Sequence, residues 1–582
     1  MIVNKENSFE SDKCLNLCLI RCKELGIRAQ NFTKLVKEYK IKLANLRGIA
    51  KGNKTKFMDQ PIELNCGDWI CDISGVKKNQ MNASGNYETK FASPIPVLVT
   101  ERLKNIDNDT EKIKLAFFKE GWQTLICNRS TVASNTKIVE LADKGLEVNS
   151  DNAKLLVKYI ADLVALNLDT IPIYNATSKL GWMNKDFIPY SDIRFDGESE
   201  YKSVFDAVSP SAHGSYDEWV QYTGKLRENK YLRLQMAASF AAPIIPKVNA
   251  LPFILHFWGG TGNGKTVGAM VAMSIWGNPR MGKLVRTMNM TVNNMVSTAA
   301  LLNNIPFAGD ELQLIKSNMG YDKLIMQCTE GIGRGRMKYD KIQELQTWKT
   351  SFIFTGEEPI TKDNSGGGAK NRVIEFECTK KVIESGNEVV SYVQNNYGFA
   401  GEKFTKAIAD EKLQEEYLQI LKKLLECDTT EKQAMAMSCM LLADKMACKY
   451  IYTGEKPLEV SDVKEFLKTN KEVDQSERAY EWVLNFVAVN NNKFQGNEMS
   501  ECWGKIDNEY IYINKNILTA QMNDNTAPFD SVKTKWAEKG YLITNSQGKM
   551  YHQTTCCGAK GTYIKILQKP DENIFVAEKV PF

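Results

Sequence analysis

A glycine-rich segment in the middle of the chain constrains the fold more than any other feature. It spans Gly259–Thr266, reads GGTGNGKT, and directly follows the apolar run Phe253–Trp258. A buried strand, the spacing Gly-x-x-x-x-Gly-Lys-Thr and a helix together form the pattern of a P-loop. The sequence therefore predicts a parallel α/β sheet, with a strand over Phe253–Trp258 and a helix over Thr266–Ile275.

The residue types in this loop suit the binding of a triphosphate. Glycines let backbone N–H groups turn toward phosphate oxygens. We predict that Lys265 contacts the β and γ phosphates of ATP and that the Thr266 hydroxyl ligates Mg²⁺. The predicted nucleotide-binding residues are Gly260, Thr261, Gly262, Asn263, Gly264, Lys265 and Thr266. A glycine-rich turn without a ligand is the alternative.

A pair of acidic residues supplies the second element that a P-loop requires. The short apolar segment Ile305–Gly309 ends in Asp310 and Glu311. We predict that Asp310 holds Mg²⁺ together with Thr266, and that Glu311 is the general base that polarises the attacking water. The segment contains a proline and a glycine, which are poor strand formers, so an ordinary surface acidic pair is the alternative.

Two further catalytic candidates lie beyond this pair. The run Ser351–Phe354 predicts a strand, and Thr355 at its end is placed to sense the γ-phosphate or to position the water, with Glu357 as the second candidate. Arg372 follows a glycine-rich loop and is predicted to stabilise transition-state charge in the site of a neighbouring subunit. For Arg372, an ordinary surface salt bridge is the alternative.

The length of 582 residues exceeds what one hydrophobic core usually serves, so we expect several domains. The predicted segments are a basic helical N-terminal segment (1–60), a mixed β-rich domain (61–235), the P-loop ATPase core (236–400), a helical segment (401–471) and a winged-helix-like C-terminal domain (472–582). The fold class is therefore multidomain α/β.

Composition excludes several classes of protein. Residues Met1–Asp12 are polar, which argues against a secretory leader, and the most apolar stretch, Ala237–Trp258, contains three prolines and is a poor membrane span. The fourteen cysteines lack convincing metal-ligand spacing and are expected to be reduced thiols. We therefore expect a cytoplasmic protein without a membrane partner.

Charge alone does not identify a nucleic-acid-binding protein, because the net charge is only +5. It is uneven, however: residues 1–60 carry thirteen lysine and arginine residues against six acidic ones. This segment has a DNA or protein partner or is a solvated helical face.

Two other segments, residues 331–341 and the last hundred residues, are predicted to contact DNA. The glycine-flanked run Gly331–Lys341 carries a tyrosine and four cations, which suit the backbone of a single strand without base readout. These predicted DNA contacts are Arg334, Arg336, Lys338 and Lys341. A solvated loop is the alternative.

The last hundred residues resemble a winged helix. Asp530–Lys539 would be the recognition helix, with lysines at 533, 535 and 539, and Tyr541–Thr544 and Tyr563–Ile566 would frame the wing. Such a domain often binds duplex DNA, and a protein contact is the alternative.

Several spaced motifs resemble the bacterial and phage family called domain of unknown function 927. They are Ile275–Pro279, Thr287, Thr291, Asn304–Pro306, Asp310–Glu311, Gly333–Arg336, Trp348, Thr355–Glu357, Arg372–Val373, Leu180–Trp182, Phe187–Pro189 and Tyr397–Gly401. The resemblance spans residues 63–410. It departs at Gly309, where many members place an apolar residue before the Asp-Glu pair.

Members with this layout resemble replication helicases of mobile genetic elements, including staphylococcal cassettes and pathogenicity islands. The resemblance implies an AAA+ core similar to superfamily three helicases, assembled as a homo-oligomeric, hexameric ring. ATP sites would lie between subunits, with Lys265, Thr266, Asp310 and Glu311 in cis and Arg372 in trans. The run Gly331–Lys341 would be the pore hairpin.

The expected function is thus that of an ATP-dependent DNA helicase or translocase for DNA replication of a mobile element. Its partners would be single-stranded and duplex DNA, with a primase or polymerase as a candidate protein partner. The alternative is an AAA+ ATPase that remodels a protein partner without translocating on DNA. A DNA-binding scaffold with a vestigial ATP site is disfavoured because Lys265, Asp310 and Glu311 are intact.

Overall fold

The computed structural model describes residues 8–50, 53–81, 87–197, 202–208, 212–315, 320–335, 337–338, 341–342, 345–495 and 501–568. The chain divides into two compact units. The first comprises Met1–Ser178 and Asp192–Gly197, and the second comprises Lys179–Ser191 and Glu198–Phe582. The five predicted segments do not coincide with this division, since the predicted β-rich domain, 61–235, includes residues of both units, and their boundaries remain a prediction.

The first unit is rich in strands. Its helices are α1 (Ser8–Glu24), α2 (Ala29–Ala50), α3 (Arg129–Val132) and α4 (Ala153–Leu166). Its strands are β1 (Ile70–Asp72), β2 (Gly75–Met81), β3 (Tyr87–Ser93), β4 (Val97–Asn105), β5 (Glu111–Phe118), β6 (Trp122–Asn128) and β7 (Ile173–Thr177). The chain then forms a hairpin in the second unit, β8 (Gly181–Met183) and β9 (Asp186–Ile188), and returns to the first unit for β10 (Arg194–Phe195).

Two sheets and one long helix build the core of the first unit. The strand orders are β1-β2-β3 and β10-β7-β4-β5-β6. Helix α4 buries an apolar face in this core, and Tyr159 donates a hydrogen bond to the Val97 carbonyl at 2.7 Å. The indole of Trp69 donates to Asp162 at 3.0 Å, so the helix is held by polar as well as apolar contacts.

The second unit contains the remaining elements. Its helices are α5 (Lys202–Val208), α6 (Tyr216–Leu226), α7 (Lys230–Ala241), α8 (Lys265–Met273), α9 (Val292–Leu302), α10 (Gly320–Glu330), α11 (Gly367–Lys370), α12 (Gly386–Asn395), α13 (Ala400–Ile408), α14 (Leu413–Leu425), α15 (Glu431–Tyr450), α16 (Val460–Val463), α17 (Asn470–Val473), α18 (Gln475–Val489), α19 (Lys515–Asn525) and α20 (Phe529–Glu538). Its further strands are β11 (Phe253–Trp258), β12 (Val285–Thr287), β13 (Phe307–Asp310), β14 (Met337–Lys338), β15 (Lys341–Ile342), β16 (Ser351–Gly356), β17 (Val373–Glu377), β18 (Gly504–Ile506), β19 (Tyr510–Asn514), β20 (His552–Cys556) and β21 (Ala559–Leu567).

A five-stranded sheet lies at the centre of the second unit, in the order β12-β13-β16-β11-β17, with every neighbouring pair parallel. The predicted strand over Phe253–Trp258 is confirmed as β11, and its residues are almost all buried, as expected for a parallel sheet covered on both faces. Because the carboxyl ends of parallel strands share one edge, the loops after β11, β13 and β16 meet there.

Strand β13 forms despite the proline and the glycine in its segment. It begins at Phe307, directly after Pro306, so the proline leaves the ladder intact. A side chain at Gly309 would lie only 2.4 Å from the Met288 sulfur and 2.9 Å from the ring of Phe354. The glycine is therefore required by close packing at this point of the sheet.

The resemblance motifs Leu180–Trp182 and Phe187–Pro189 lie on a hairpin, the antiparallel pair β8-β9. It packs on the central α/β region of its own unit. The Trp182 amide donates to the Asn304 side-chain oxygen at 3.0 Å, and the indole donates to the Pro243 carbonyl at 2.8 Å. Phe187 stacks on Trp276 with ring centroids 5.9 Å apart.

The C-terminal part of the second unit combines three helices with a four-stranded antiparallel sheet. Helices α18, α19 and α20 pack on the sheet β18-β19-β21-β20, around a core that contains Trp536, Ile513 and Ile566. Of the two segments predicted to frame the wing, Tyr563–Ile566 lies within β21, whereas Tyr541–Thr544 forms no strand. It still lies beside β21, since Leu542 forms a bridge to Ile566 and the Ile543 amide donates to the Lys565 carbonyl at 2.9 Å. The amides of Tyr541 and Leu542 also donate to the Trp536 carbonyl near the end of α20, and β20 and β21 form an antiparallel pair.

The expectation that all the thiols are reduced is also wrong. Cys502 and Cys557 form a disulfide that joins the residues before β18 to the turn between β20 and β21. The described part of the chain has no His, Cys, Asp and Glu cluster suited to a metal ion. Nor does it contain a helix with the length and apolar character needed to cross a membrane.

A buried ionic cluster joins helix α15 to the helix that precedes β11. The Asp444 carboxylate is fully buried and accepts two hydrogen bonds from Arg233, at 2.9 and 2.7 Å, and one from Arg227 at 2.9 Å. Burial alone would raise the pKa of Asp444, but the hydrogen bond from Arg233 and the two positive charges outweigh it and hold the pKa below its usual value.

We expect Asp444→Asn to destabilise the second unit by about 3 kcal/mol, because it removes the counter-charge of Arg233 and one of the two carboxylates that pair with the buried Arg227, the other being Glu455. Urea unfolding followed by tryptophan fluorescence measures this change. Asp410→Asn is the matched control, since Asp410 forms only an exposed ion pair with Lys185 at 3.5 Å. Equal effects of the two substitutions would contradict a stabilising role for the cluster.

Candidate active site

The glycine-rich loop connects β11 to α8 in a conformation that depends on its glycines. Gly259, Gly262 and Gly264 have φ angles of 133°, 85° and 84°, which side-chain-bearing residues rarely adopt. A Cβ at Gly259 would lie 2.9 Å from the Cys378 carbonyl oxygen, and one at Gly264 would lie 3.1 Å from the side chain of Ile383. The loop is thus pressed against the segment that follows β17.

The two residues after the last glycine begin helix α8. The Lys265 ammonium donates to the carbonyl oxygens of Gly259 at 2.9 Å and Gly260 at 2.7 Å, so it lies inside the curve of the loop. The Thr266 hydroxyl donates to Asp310 Oδ1 at 2.8 Å. A cation, a hydroxyl and a helix N-terminus therefore converge in one place, which favours a bound anion.

The Asp310 carboxylate joins three elements of the site. It is 8% exposed and lies at the end of β13. The same Oδ1 atom that accepts from Thr266 also accepts from the hydroxyl of Thr355 on β16. Because β16 lies between β11 and β13 in the sheet, the predicted sensor residue is placed between the loop and the acidic pair.

Glu311 follows at once and is exposed, with a left-handed backbone (φ 56°). Its side chain lines the same cavity as the loop. The second sensor candidate, Glu357, accepts a hydrogen bond from the Thr261 hydroxyl at 3.0 Å. The structure therefore brings together Thr261, Lys265, Thr266, Asp310, Glu311 and Thr355, all of which the sequence predicts as site residues.

The cavity at this point has a volume of about 390 Å³ and a wall that the sequence did not predict. Gln313 lies on one side, with a buried Oε1 atom that has no hydrogen-bond partner within the described residues. Ile383, Glu384 and Asn387, around the start of α12, lie on the other side. For Gln313, its position two residues after Glu311 is the one sequence signal that could have indicated a place in the cavity wall.

Hydrogen bonds hold the segment after β17, which contains Ile383, against the glycine-rich loop. The Asn263 side chain donates to the Cys378 carbonyl at 2.6 Å, and the Val382 amide donates to the Asn263 carbonyl at 2.9 Å. Asn229, which caps α7, donates to the Val382 carbonyl at 3.0 Å. The Asn263 side chain therefore contacts the segment after β17 rather than the interior of the loop.

A buried histidine links β11 to β16 and to the residues that follow β16. The ring nitrogens of His256, on β11, lie 3.3 Å from the Phe354 carbonyl oxygen and 2.9 Å from the Glu358 carbonyl oxygen. Burial lowers the pKa of His256, so the ring is neutral near pH 7.

Arg372 lies at the amino end of β17, whereas the glycine-rich loop lies at the carboxyl end of the neighbouring parallel strand β11. Its carbonyl accepts from the amide of Ile254, near the start of β11, whereas the loop begins after Trp258. Four residues of strand separate the two points by about 13 Å. One guanidinium nitrogen donates to the Gly368 carbonyl at 2.8 Å, and Nε is buried without a partner in the described residues. Arg372 is therefore not part of the cavity of its own chain.

Other cations surround Arg372. Lys432, on α15, lines the same small surface depression. Burial, and then the charges of Arg478 and Lys468, lower the pKa of Lys370 to about 8. Asp363 and Glu375 act on this pKa in the opposite direction, so carboxylates partly compensate the positive charge at this point of the sheet.

The basic run between α10 and β16 forms a short antiparallel hairpin, β14-β15. At its base, the Trp348 amide donates to the Gly331 carbonyl at 3.0 Å and the Gly333 amide donates to the Gln346 carbonyl at 2.7 Å. Arg334 is exposed beside this base. Arg336 lies outside the described residues, as do the side chains of Lys338 and Lys341.

Comparison with known proteins supports the resemblance found in the sequence. Residues 70–342 match the family profile described as "Domain of unknown function (DUF927)". Residues 70–342 are therefore similar to the DUF927 family. This match is shorter than the predicted span of 63–410 and ends before Thr355 and Arg372, but the predicted family is confirmed.

Two further similarities lie alongside the DUF927 region. Residues 474–571 match a family profile described as "Cch helix turn helix domain". A solved structure described as "SCCmec type IV Cch - active helicase" is similar over 88% of this chain and 98% of that chain, with a TM-score of 0.64 and 18% identity. At this identity the similarity shows a shared fold. No curated protein matches the sequence.

Two glycines in the glycine-rich loop allow a matched test of its geometry. We expect Gly262→Ala to cost about 1 kcal/mol of unfolding free energy through backbone strain alone. Gly264→Ala has similar strain but also meets Ile383, so we expect about 2 kcal/mol. Urea unfolding measures both, and a smaller loss at Gly264 than at Gly262 would show that the loop is not pressed against Ile383.

Proposed function

We propose that this DUF927-containing chain is an ATP-dependent DNA helicase or translocase that acts in the replication of a mobile genetic element. The observation that carries the proposal is the shared acceptor at Asp310, which joins Thr266 to the buried Thr355 beside the cavity that Lys265, Thr266 and Asp310 line. This arrangement, with β16 between the loop strand and the acidic strand, supports assignment of the core as an AAA+ P-loop ATPase.

The residues present fit ATP with Mg²⁺. The Thr266 hydroxyl and the Asp310 carboxylate are hard oxygen donors of the type that Mg²⁺ prefers, and they lie within hydrogen-bond distance of each other. Bound Mg²⁺ would neutralise charge on the phosphates. Lys265 and the loop amides would hold the phosphate oxygens, Glu311 would accept the proton of the attacking water, and Thr355 would orient that water.

The position of Arg372 supports the proposal of a site shared between subunits. The start of β17, where Arg372 lies, is far from the glycine-rich loop of its own chain, and Lys432 lines the same small pocket as Arg372. In a homo-oligomeric ring, expected to be hexameric, this end of β17 would face the cavity of the next subunit and place the guanidinium on the transferred phosphate.

DNA is the proposed polymeric substrate. The run Gly331–Lys341, which overlaps the pair β14-β15, contains the cations predicted to contact a single strand, namely Arg334, Arg336, Lys338 and Lys341. The structurally similar Cch protein is described as an active helicase, and a helix-turn-helix profile matches the C-terminal domain. These findings favour a DNA motor over an ATPase that remodels a protein partner.

The function is tested by ATP hydrolysis with and without single-stranded DNA, followed by strand displacement on a forked duplex. We expect the wild-type chain to be stimulated by DNA and to unwind the fork. Lys265→Ala should lose hydrolysis under both conditions, because the phosphates lose their charge partner. Replacing Arg334, Arg336 and Lys338 together by Ala should abolish DNA stimulation and unwinding.

An active ATPase that neither responds to DNA nor displaces a strand would favour the remodelling alternative. Unchanged hydrolysis in Lys265→Ala would contradict the assignment of the loop itself.

We also expect Arg372→Ala and Lys265→Ala, each inactive alone, to recover part of the ATPase activity when the two chains are mixed. A mixed ring contains interfaces in which one subunit supplies an intact Lys265 and its neighbour an intact Arg372. Hydrolysis is measured over a range of mixing ratios, with mixed assembly verified by native mass spectrometry. Mixed rings without any recovery would show that Arg372 does not act in trans.

A further inference from the structure

The sheet of the C-terminal domain has one apolar face, which is buried in the core, and one partly exposed face that carries tyrosines and lysines. Along β19, Ile511 and Ile513 are buried in the core, whereas Tyr510 and Tyr512 alternate with them and are partly exposed. Along β21, Ile564 and Ile566 are buried and Lys565 between them is partly exposed. The period of two places the tyrosines and the lysine on the outer face.

Cross-strand register brings lysines and tyrosines together on this outer face. Tyr512 pairs with Lys505 of β18 on one side and with Lys565 of β21 on the other. The Lys505 ammonium lies 4.7 Å from the centre of the Tyr512 ring, and the Lys565 ammonium lies 3.7 Å from that of Tyr510. His552 of β20 meets Tyr512 edge-on at 6.4 Å. We call these five residues the lysine–tyrosine face.

The two lysines of this face keep their charge available for a ligand. Within the described residues, neither Lys505 nor Lys565 has a carboxylate partner, and each is held over a tyrosine ring instead. Cation–π contacts of this kind orient an ammonium without neutralising it. The result is a surface with fixed positive charges and aromatic rings beside them.

The predicted recognition helix offers less positive charge. On α20, Lys533 forms an ion pair with Asp530 at 2.5 Å. Lys539, just after the helix, contacts Asp474 at 2.7 Å and Glu477 at 2.6 Å, so its charge is used within the domain. Lys535 is exposed, but Glu538 is exposed beside it. The charges on this side of the domain therefore largely compensate one another.

We propose that the lysine–tyrosine face binds single-stranded DNA. Unpaired bases stack on aromatic rings, and neighbouring lysines pair with the phosphates between them. Duplex DNA is read by an element that protrudes into a groove, whereas this face is the surface of a sheet. The C-terminal domain thus holds a separated strand through its sheet, a role that goes beyond the proposed motor activity of the ATPase core.

The first test measures the affinity of the full-length chain for a fluorescent oligothymidine, by anisotropy without nucleotide. Lys505→Glu combined with Lys565→Glu should weaken binding roughly tenfold or more, and should lower the slope of log affinity against log salt by about 0.7 for each lost phosphate contact. Lys533→Glu combined with Lys535→Glu is the matched control, since it reverses two charges in the same domain on α20. The control should stay within about twofold of wild type.

A weaker affinity in the α20 pair than in the sheet pair, or no change in either, would overturn the proposal. Tighter binding of a duplex than of oligothymidine by the wild-type chain, lost in the α20 pair alone, would assign the contact to the helix.

The second test needs no variant and so does not depend on folding of a mutant. Ultraviolet crosslinking of the wild-type chain to 5-bromodeoxyuridine-substituted single-stranded DNA, followed by peptide mass spectrometry, should give crosslinks at Tyr510 or Tyr512. Crosslinks confined to α20 or to residues 331–345 would refute the proposal. Strand displacement by the same preparation is scored separately, so failure of the proposed motor function would remain distinguishable from failure of this DNA contact.

Discussion

The Asp310 carboxylate accepts hydrogen bonds from two hydroxyl groups that belong to different elements, and the candidate site depends on this shared acceptor. Thr266 begins helix α8, and Thr355 lies near the end of β16. A carboxylate that is 8% exposed needs such partners, because burial without them would be costly. Hydrogen bonds to a charged acceptor are also stronger than those between neutral groups. The loop, the acidic strand and the sensor strand are therefore fixed to one another before any ligand binds.

The connection from β16 to β17 links this site to the rest of the second unit. Near its start, Glu357 accepts a hydrogen bond from Thr261 in the glycine-rich loop. Further along, Ser365 donates to Asp322 on α10 at 2.6 Å, and its carbonyl accepts from Arg478 of the C-terminal domain at 2.7 Å. The connection ends at Arg372. One segment thus contacts the phosphate loop, the C-terminal domain and the edge proposed to face a neighbouring subunit, which gives a physical route for coupling among them.

The sequence predicted the features that depend on neighbouring residues, and it missed those that depend on contacts between residues far apart in the chain. The run Phe253–Trp258 is continuously apolar, as buried parallel strands are, and it forms β11. Tyr541–Thr544 looks equally strand-like, but its first two amides satisfy the carbonyl at the end of α20, which leaves one bridge to the sheet. Lys539 looks like a free cation of a recognition helix, yet it contacts carboxylates more than sixty positions away in the chain. The disulfide between Cys502 and Cys557 has the same character, since no spacing rule pairs those two cysteines among fourteen.

The sequence by itself determined the glycine-rich loop, its lysine and threonine, the acidic pair and the family of residues 70–342, because glycine conformation, charge and strand-to-helix periodicity are properties of short segments. Only the tertiary structure decided that β16 lies between β11 and β13, that Ile383 and Asn387 close the cavity, and that Arg372 lies at the far edge of the sheet. It also decided which lysines are already paired and which lie over tyrosine rings. Strand order and ion pairing depend on which parts of the chain pack against each other. The free energy of that packing comes from residues far apart in sequence, so the spacing of residues along the chain does not reveal it.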